Sequence, residues 1–445
     1  MHTPQATQVD TIIDARWIIP IEPEGTILNG HSLIADKGLI IALIPTDQVA
    51  RHYVARQHHR LTEHALLPGF INLHTHAAMT LLRGFADDLP LMRWLQEHIW
   101  PAETKHVSPE FVRDGTELAC WEMLRGGITC FNDMYFFPET AAEAALKTGI
   151  RAALGITVFE FPSAYGNDAD DYLHKGLATR DALRDESLIS FCLAPHAPYT
   201  VANKTFERVA TLSHQLDLPI HIHVHETEDE IRNSLKEYGV RPLARLNQLG
   251  LLGPEMIAVH AVHLETDEIA LLSKYNSHIA HCPTSNMKLG SGIAPISALL
   301  DQNVSIGLGT DGAASNNRLD LFHELRHAAL LAKIATKDAT RLPAHQALSM
   351  ATLAGARALN LESKTGSLAV GKQADMIAIH MDDWIQQPCF DPVSHIVYVN
   401  GREDVSHVWV AGKPRIADKL PVDYSVTELQ GKVKMWQNSL SNHVL

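Results

Sequence analysis

Two histidines at the end of an apolar stretch are the first residues of the chain that suggest chemistry. His74 and His76 follow the run Phe70 to Leu73, which reads as a buried strand. Residues two apart in a strand point to the same side, so both imidazoles would project together. Such a pair can bind one zinc or iron ion, but it also occurs as an ordinary polar strand end. Spacing alone leaves metal binding open.

Other groups that can bind a metal follow later apolar, strand-like segments of the chain. In a barrel of parallel strands, the loops after all the strands meet at one mouth. Core or surface histidines would instead scatter over both ends of the strands. This placement therefore predicts a metal site at the mouth of a barrel. The later groups are His196, His221, His223, His225, Glu226, His260, His263 and Asp311.

The chemistry that this set supports is hydrolytic. Three neutral imidazoles and one carboxylate would leave a metal an open position for water, whose pKa then falls toward neutral. Glu226 lies just past the fifth strand and can carry a proton. Asp311 can hold both metal and water, and His260 can align the water or serve as a further ligand.

The elements that must position these groups alternate between apolar strands and amphipathic helices. The helix predicted at Pro109–Leu124 has Ser108 as its N-cap. Eight such β/α units predict an α/β fold, a closed (β/α)₈ TIM barrel. An open doubly wound sheet is the alternative, but no G-x-G-x-x-G follows the first strand. The predicted strands are 70–73, 128–135, 150–158, 189–195, 219–225, 256–263, 278–283 and 304–310.

Both ends of the chain have a different, β-rich texture. Short β segments fill 9–66, and they return beyond 367, including 395–399. We expect these two parts to pair into one small β-sandwich domain. The predicted domains are therefore 1–66 and 367–445 for the β-sandwich with its tail, and 67–366 for the barrel.

Composition and charge limit which binding partners and which cellular compartment are expected. The formal net charge of −14 repels phosphate backbones, so nucleic-acid polymers are not expected. No apolar run reaches the roughly 20 residues that span a bilayer, and the polar N-terminus does not resemble a secretory signal. Five scattered cysteines without a C-x-x-C indicate reduced thiols. We therefore expect a cytoplasmic protein without a membrane partner.

Several runs together carry a family resemblance over essentially the whole chain. They are P-G-F-I-N-L-H-T-H, H-x-H-x-x-E, V-H-A-V-H, H-C-P-T-S-N-M-K-L-G-S-G-I-A-P and G-T-D-G-A-A-S-N-N. The set resembles the amidohydrolase superfamily. More narrowly, it is similar to the 5′-methylthioadenosine/S-adenosylhomocysteine deaminases of the ATZ/TRZ-like branch.

The resemblance implies one zinc ion bound by His74, His76, His223 and Asp311. The family's ligand stands three residues before the catalytic glutamate, which selects His223 and leaves His221 and His225 as structural residues. No lysine ends the fourth strand, so the two-metal branch with a carbamylated lysine is disfavoured. Zinc against iron or another divalent metal stays open.

The resemblance also implies a mechanism. Glu226 would protonate purine N1 as hydroxide attacks C6, and Asp311 would pass a proton to the departing amine, with His260 as a further catalytic residue. Glu103 matches a position that accepts hydrogen bonds from the ribose hydroxyls. His196 matches a histidine near the purine or ribose.

Other residues are weaker candidates for the pocket. Trp94 and Met92 are expected in its wall, although such residues at helical spacing are more often core. Ser315 and Asn316 lie in the loop after Asp311 and are the weakest candidates for contact with substrate.

One departure from the family bears on the substrate. Relatives that accept adenosylhomocysteine place arginines after the third strand, but Arg151 lies at the wrong end of that strand here. The following loop, Phe159–Tyr165, is apolar and acidic. A carboxylate would find no fork-shaped donor there, so we expect methylthioadenosine to be preferred, with adenosylhomocysteine or adenosine as further substrates.

Three other readings remain at this point. The nearest is another aminohydrolase of the branch, acting on guanine, cytosine or a triazine, or a triazine chlorohydrolase. A non-catalytic scaffold is a reading of another class, and it would be expected to erode the ligands. The family also implies a homo-oligomer, a dimer or a tetramer.

Overall fold

Two eight-stranded sheets organise the computed structural model, which describes residues 6–441. The first and last strands of the chain share one sheet, and the middle eight strands form the other. The strands of the first sheet are β1 (Thr7–Ile18), β2 (Leu28–Asp36), β3 (Leu39–Pro45), β4 (Tyr53–Pro68), β13 (Met376–His380), β14 (Val405–Val410), β15 (Lys413–Ala417) and β16 (Leu420–Pro421). Those of the second are β5 (Phe70–Thr75), β6 (Ile128–Asp133), β7 (Arg151–Val158), β8 (Ile189–Pro195), β9 (Ile220–Val224), β10 (Met256–His260), β11 (His278–His281) and β12 (Ser305–Leu308).

Helices follow the strands of the second sheet and cover it. These strands pair in parallel and in chain order from β5 to β12, which confirms the predicted α/β barrel. The predicted N-cap is confirmed as well, because Ser108 Oγ accepts the N–H of Phe111. The α-helices are α1 (Thr46–His52), α2 (Leu91–Trp94), α3 (Trp100–His106), α4 (Pro109–Arg125), α5 (Pro138–Thr148), α6 (Ala169–Ala182), α7 (Asn203–Leu216), α8 (Glu228–Tyr238), α9 (Pro242–Gln248), α10 (Thr266–Lys274), α11 (Pro283–Lys288), α12 (Ile296–Asp301), α13 (Leu321–Thr336), α14 (Ala344–Met350), α15 (Leu353–Ala358), α16 (Pro392–Tyr398) and α17 (Val426–Ser441).

The side chain of Asn72, two residues before His74, connects the end of β12 to β5. Asn72 Oδ1 accepts the N–H of Thr310 at 2.9 Å, and Asn72 Nδ2 donates to Thr310 Oγ1 at 2.8 Å. One residue further on, the N–H of Asp311 donates to the carbonyl of His74 at 2.9 Å. The asparagine amide thus makes the hydrogen bonds that backbone groups make between the other strands. It brings the ends carrying His74 and Asp311 together.

The small sheet is built from both ends of the chain, as predicted. Its central pair is β4 with β13, antiparallel from Pro68 opposite Met376 to His64 opposite His380. The prediction of a strand at 395–399 is wrong, because this segment belongs to α16. The domain boundaries stay a prediction, and β4 runs to Pro68, just past the one placed at 66.

A buried ion pair joins the barrel to the small sheet. Arg151, the first residue of β7, donates from Nε to Asp375 Oδ2 at 3.0 Å. Its Nη1 donates to the carbonyl of Ser187 at 3.0 Å, and the side chains of Arg151 and Asp375 are 2% and 0% exposed. Arg151 therefore holds the fold together at the end of the barrel away from the strand C-termini.

The last helix packs against the outside of the barrel. Lys432 of α17 bonds to Glu117 of α4 at 2.8 Å, and Trp436 Nε1 donates to Asp114 at 2.9 Å. Within residues 6–441, no helix is both long and apolar enough to cross a bilayer.

Candidate active site

Four side chains from three strand ends lie side by side at the barrel mouth. His74 Nε2 lies 3.2 Å from Asp311 Oδ1, and His76 Nε2 lies 3.3 Å from the same oxygen. His223 Nε2 lies 3.2 Å from His74 Nε2. A tetrahedral zinc ion with bonds of about 2.0–2.1 Å would separate its ligand atoms by about 3.3 Å. We call these four residues the metal cradle, and the three distances given match this separation. Potential ligand atoms within 4.8 Å of one another form two sets that share His74: His74, His76 and Asp311, and His74, His223 and His260.

The other ring nitrogens of the cradle histidines are already engaged. His76 Nδ1 donates to the carbonyl of Met134 at 2.6 Å, and His223 Nδ1 donates to the carbonyl of His196 at 2.9 Å. A hydrogen on Nδ1 leaves the Nε2 lone pair facing the centre of the cradle. Burial lowers the pKa of His74 to about 4, which keeps this ring neutral. The donor set is therefore prepared for a metal, because unshared lone pairs would otherwise face one another.

Asp311 is held by hydroxyl groups on its far side. Ser285 Oγ and Ser315 Oγ donate to Asp311 Oδ2 at 2.6 and 2.7 Å. The N–H of Gly312 donates to Oδ1 at 2.7 Å. Burial alone would raise the pKa of Asp311, but the hydrogen bond with His74 is the largest of the opposing effects, which hold that pKa well below its ordinary value. The carboxylate is thus fixed with Oδ1 toward the cradle histidines.

Glu226 and His260 lie beside the cradle. Burial raises the pKa of Glu226 above its ordinary value, so this carboxyl keeps its proton to higher pH than an exposed one. His260 Nδ1 donates to Asn286 Oδ1 at 2.8 Å, which turns Nε2 toward Glu226 Oε2 at 3.9 Å. A buried carboxyl group and an oriented imidazole therefore face the same space.

A cavity opens over the cradle, with about 750 Å³ of empty space when the solvent at its open mouth is included. Glu103 lies in its wall, where Tyr135 Oη donates to Glu103 Oε1 at 2.7 Å. Burial raises the pKa of Glu103 to about 7. The ring of His196 packs against that of Phe159 at a tilt of 31°, with ring centres 4.6 Å apart. Among the described residues, the walls carry carboxyl groups, histidines and apolar side chains but no lysine or arginine.

Of the four weaker candidates for the pocket, two line the cavity and two do not. Trp94 and Ser315 line the cavity, whereas Met92 does not and its neighbours Leu91 and Leu95 do. Asn316 is turned away, because its Nδ2 donates to the carbonyl of Thr310 and to Glu324.

The remaining histidines of the motifs lie outside the cradle. His221 Nε2 bonds to His74 Nδ1 at 2.9 Å, so it contacts a cradle residue from behind. His225 Nε2 accepts the N–H of Leu243 at 3.0 Å. His263 Nε2 donates to the carbonyl of Ser291 at 2.8 Å.

Several supporting residues escaped the sequence reasoning. Ser285 and Asn286 lie in a run that marked the family, but nothing in their spacing indicated that they hold Asp311 and His260. Asp133 accepts the N–H of Ala77 at 2.7 Å and so fixes the turn after His76. The one sequence signal for Asp133 was its position at the end of a strand, where a carboxylate faces the barrel mouth.

The fold and the site agree with the comparisons. Residues 65–415 match the model of the amidohydrolase family. The chain therefore belongs to the amidohydrolase family and is a hydrolase.

Three individual proteins are similar to the chain over nearly its whole length. A 5-methylthioadenosine/S-adenosylhomocysteine deaminase from Teredinibacter turnerae is 47% identical over 434 residues, which cover 98% of each chain. A crystal structure of an adenosine deaminase from Xanthomonas campestris with bound zinc has a TM-score of 0.97 and 44% identity, covering 98% of this chain and 100% of that one. The zinc-bound atrazine chlorohydrolase TrzN from Arthrobacter aurescens, at TM-score 0.88 and 22% identity over 96% of this chain and 99% of its own, shares the fold.

Proposed function

We propose that the protein removes the adenine amino group of 5′-methylthioadenosine by hydrolysis, giving the inosine analogue and ammonia. The observation that carries the proposal is that Glu226, Asp311 and Glu103 line one cavity. A proton donor, a metal-binding carboxylate and an acceptor for ribose hydroxyls thus lie within reach of one nucleoside. The 47% identity to a relative that is named for this activity supports the choice of substrate.

The proposed metal ligands are His74, His76, His223 and Asp311, holding one zinc ion per chain. Their spacing supports this assignment, and another divalent metal such as iron would use the same atoms. Zinc bound by this set would supply a water molecule that is activated at neutral pH.

The proposed catalytic residues are Glu226, His260 and Asp311. The raised pKa of Glu226 suits it to hold a proton and donate it to purine N1, which makes C6 easier to attack. Asp311 would then accept a proton and pass it to the departing amine. His260, fixed by Asn286, would orient the attacking water.

The proposed substrate contacts are Glu103, His196 and Trp94, together with Glu226 and Asp311. Tyr135 holds the Glu103 carboxyl in the cavity wall, where it would accept hydrogen bonds from the ribose hydroxyls. His196 is kept neutral because burial lowers its pKa to about 3, and it would contact the purine or ribose. Trp94 is buried in the wall and would cover an apolar part of the nucleoside.

A screen for released ammonia tests the proposal. Purified protein is given methylthioadenosine, adenosylhomocysteine, adenosine, guanine and melamine, with and without a chelator. We expect deamination of the adenine nucleosides only, loss of activity in the chelator and recovery with zinc. Ammonia from guanine or melamine alone would contradict the proposal.

The cavity wall predicts a preference among adenine nucleosides. The apolar rings of Phe136 and Phe159 suit a methylthio group, whereas the amino-acid carboxylate of adenosylhomocysteine would meet no cation among the wall residues. A charge-assisted hydrogen bond contributes about 1.5–3 kcal/mol, so kcat/KM should be about tenfold or more higher for methylthioadenosine. Equal values for the two substrates would contradict this prediction.

Removing the proton donor should abolish activity without removing the metal. Glu226→Gln keeps the shape of the side chain but carries no acidic proton, so we expect kcat to fall by about 10²–10⁴-fold. Zinc content, measured by elemental analysis, should stay at the wild-type level. Glu237→Gln, exposed on α8, is the matched control. An active Glu226 variant would assign the proton transfer to another residue.

The proposed setting is a homo-oligomer, a dimer or tetramer, in the cytoplasm. All five cysteines are free, and four of them are buried, which suits a reducing compartment. Trp384, Ile385 and Phe390 are large apolar side chains that stay 83%, 66% and 93% exposed in a single chain. Light scattering on the purified protein tests the oligomeric state.

A further inference from the structure

Glu230 is a buried carboxylate next to the proposed proton donor, and it has no part in the chemistry described so far. It lies in the first turn of α8 and is 6% exposed. Its Oε1 accepts the N–H of His225 at 2.9 Å, and its Oε2 accepts the N–H of Glu226 at 2.9 Å. Both oxygens are therefore used on two successive peptide groups.

Those two peptide groups form the bend between the metal cradle and the proton donor. Strand β9 ends at Val224, and His225 has a φ of +57°, in the left-handed region that costs energy for a residue with a side chain. The bend must be held by its surroundings, because an extended chain would carry the Glu226 side chain elsewhere. The Glu230 carboxylate accepts a hydrogen bond from each of the two peptide groups of the bend.

The arrangement goes beyond ordinary helix capping. Thr227 is the N-cap of α8, and its Oγ accepts the N–H of Glu230 at 3.3 Å. In a capping box the third residue reaches back to the N–H of the N-cap itself. Here the carboxylate reaches past Thr227 to the two preceding residues. The sequence T-E-D-E predicts a helix cap, but it does not predict that the Glu230 carboxylate binds the N–H groups of His225 and Glu226.

We propose that Glu230 is a positioning residue for Glu226, fixing the backbone from which that proton donor reaches the substrate. The inference rests on the proposed function of Glu226. The role requires two acceptors, because both partners are N–H donors. A glutamine at 230 has one acceptor, and its amide NH₂ would face one of the two donors.

Glu230→Gln tests the role, with two control variants. Replacing a supporting residue of a metal site costs about 10–100-fold in activity, and we expect kcat for methylthioadenosine to fall in that range with KM within about twofold. Thr227→Ala removes the helix cap and Glu228→Gln changes an exposed carboxylate of the same turn. Both should stay near wild-type kcat. Wild-type kcat in the Gln variant would overturn the proposal.

A double variant separates positioning from general damage. If Glu230 acts only through Glu226, Glu226→Gln combined with Glu230→Gln should be no slower than Glu226→Gln alone. Multiplied losses, or zinc loss in proportion to kcat, would overturn the proposal. If the Gln variant does not fold, Glu230→Asp, which keeps the charge but draws the oxygens back, is measured in the same way.

A crystal structure of the zinc-loaded Glu230 variant gives a readout that does not depend on the substrate. We expect the Glu226 carboxylate to move away from its wild-type place beside His260. A Glu226 in its wild-type place would overturn the positioning role. Wild-type protein that deaminates no adenine nucleoside would instead overturn the proposed function, so the two failures are distinguishable.

Discussion

Glu103 combines a proposed binding role with a cost in stability. Its carboxyl sits in the cavity wall under the Tyr135 hydroxyl, and burial raises its pKa to about 7. In the unfolded chain its pKa is about 4.3. Between these two values the folded protein binds more protons than the unfolded one. Stability therefore falls as pH rises through this window, and the whole loss is present above pH 7.

Replacing Glu103 by glutamine should therefore stabilise the protein while weakening binding. Glu103→Gln has no proton to lose, so its stability relative to wild type should grow from near zero at pH 4.5 to on the order of 3 kcal/mol at pH 8. Thermal unfolding at both pH values measures this difference. The KM for methylthioadenosine should rise at pH 8. A variant with the same pH dependence as wild type would assign the cost to another group.

At the residue scale, the sequence indicates the proposed metal ligands better than the residues that hold those ligands in place. His74 and His76 stand at a visible strand end, and His223 stands in a visible H-x-H run. Ser285 holds Asp311 only because the loops after β11 and β12 come together in space. Contacts between distant segments leave no periodic pattern in either segment, so such supports were not predictable.

A cross-connection between loops closes one side of the cavity. Lys288 of α11 donates to Asp87 Oδ1 at 2.7 Å, and Asn317 Nδ2 donates to Asp87 Oδ2 at 2.8 Å. Asp87 lies just before α2, which contributes Leu91 and Trp94 to the cavity wall. The connection therefore fixes this wall against the loop that carries Asp311.

Breaking the connection should loosen substrate binding more than it slows the chemistry. Lys288→Met keeps the length of the side chain but loses the donor to Asp87. We expect KM for methylthioadenosine to rise about tenfold, corresponding to about 1.5 kcal/mol, the lower end of what a charged hydrogen bond contributes. Lys236→Met, an exposed lysine on α8, controls for the lost charge. An unchanged KM would mean that the wall stays in place without Lys288.

At the element scale, the barrel strands were predictable and the small sheet was less so. A strand buried on both faces, such as β8, is one apolar run and is visible as such. Strand β4 is 16 residues long with many exposed side chains, so its first half shows no apolar signal. The apolar residues of 395–399 resembled a strand, but Ile396 and Val397 belong to the buried face of a short helix that packs beside α13 and α14.

A buried charged contact between Arg151 and Asp375 joins the barrel to the small sheet. Removing Arg151 would leave Asp375 buried without its cation, and breaking a buried pair in this way costs about 3–5 kcal/mol. Arg151→Met should therefore lower the free energy of unfolding by that amount, measured in urea by circular dichroism. Arg232→Met breaks an exposed pair and should change it by at most about 1 kcal/mol. Equal effects would show that the buried pair contributes little.

The pairing of β4 with β13 has a consequence for how the protein is made. Roughly 300 residues separate Pro68 from Met376, and a ribosome adds about 5–20 residues per second. The nascent chain therefore presents an unpaired β4 edge for on the order of 15–60 s before its partner emerges. Leu66 and Leu67, fully buried in the finished sheet, are open to wrong partners during that time. Aggregation during synthesis should thus depend on translation speed through the barrel.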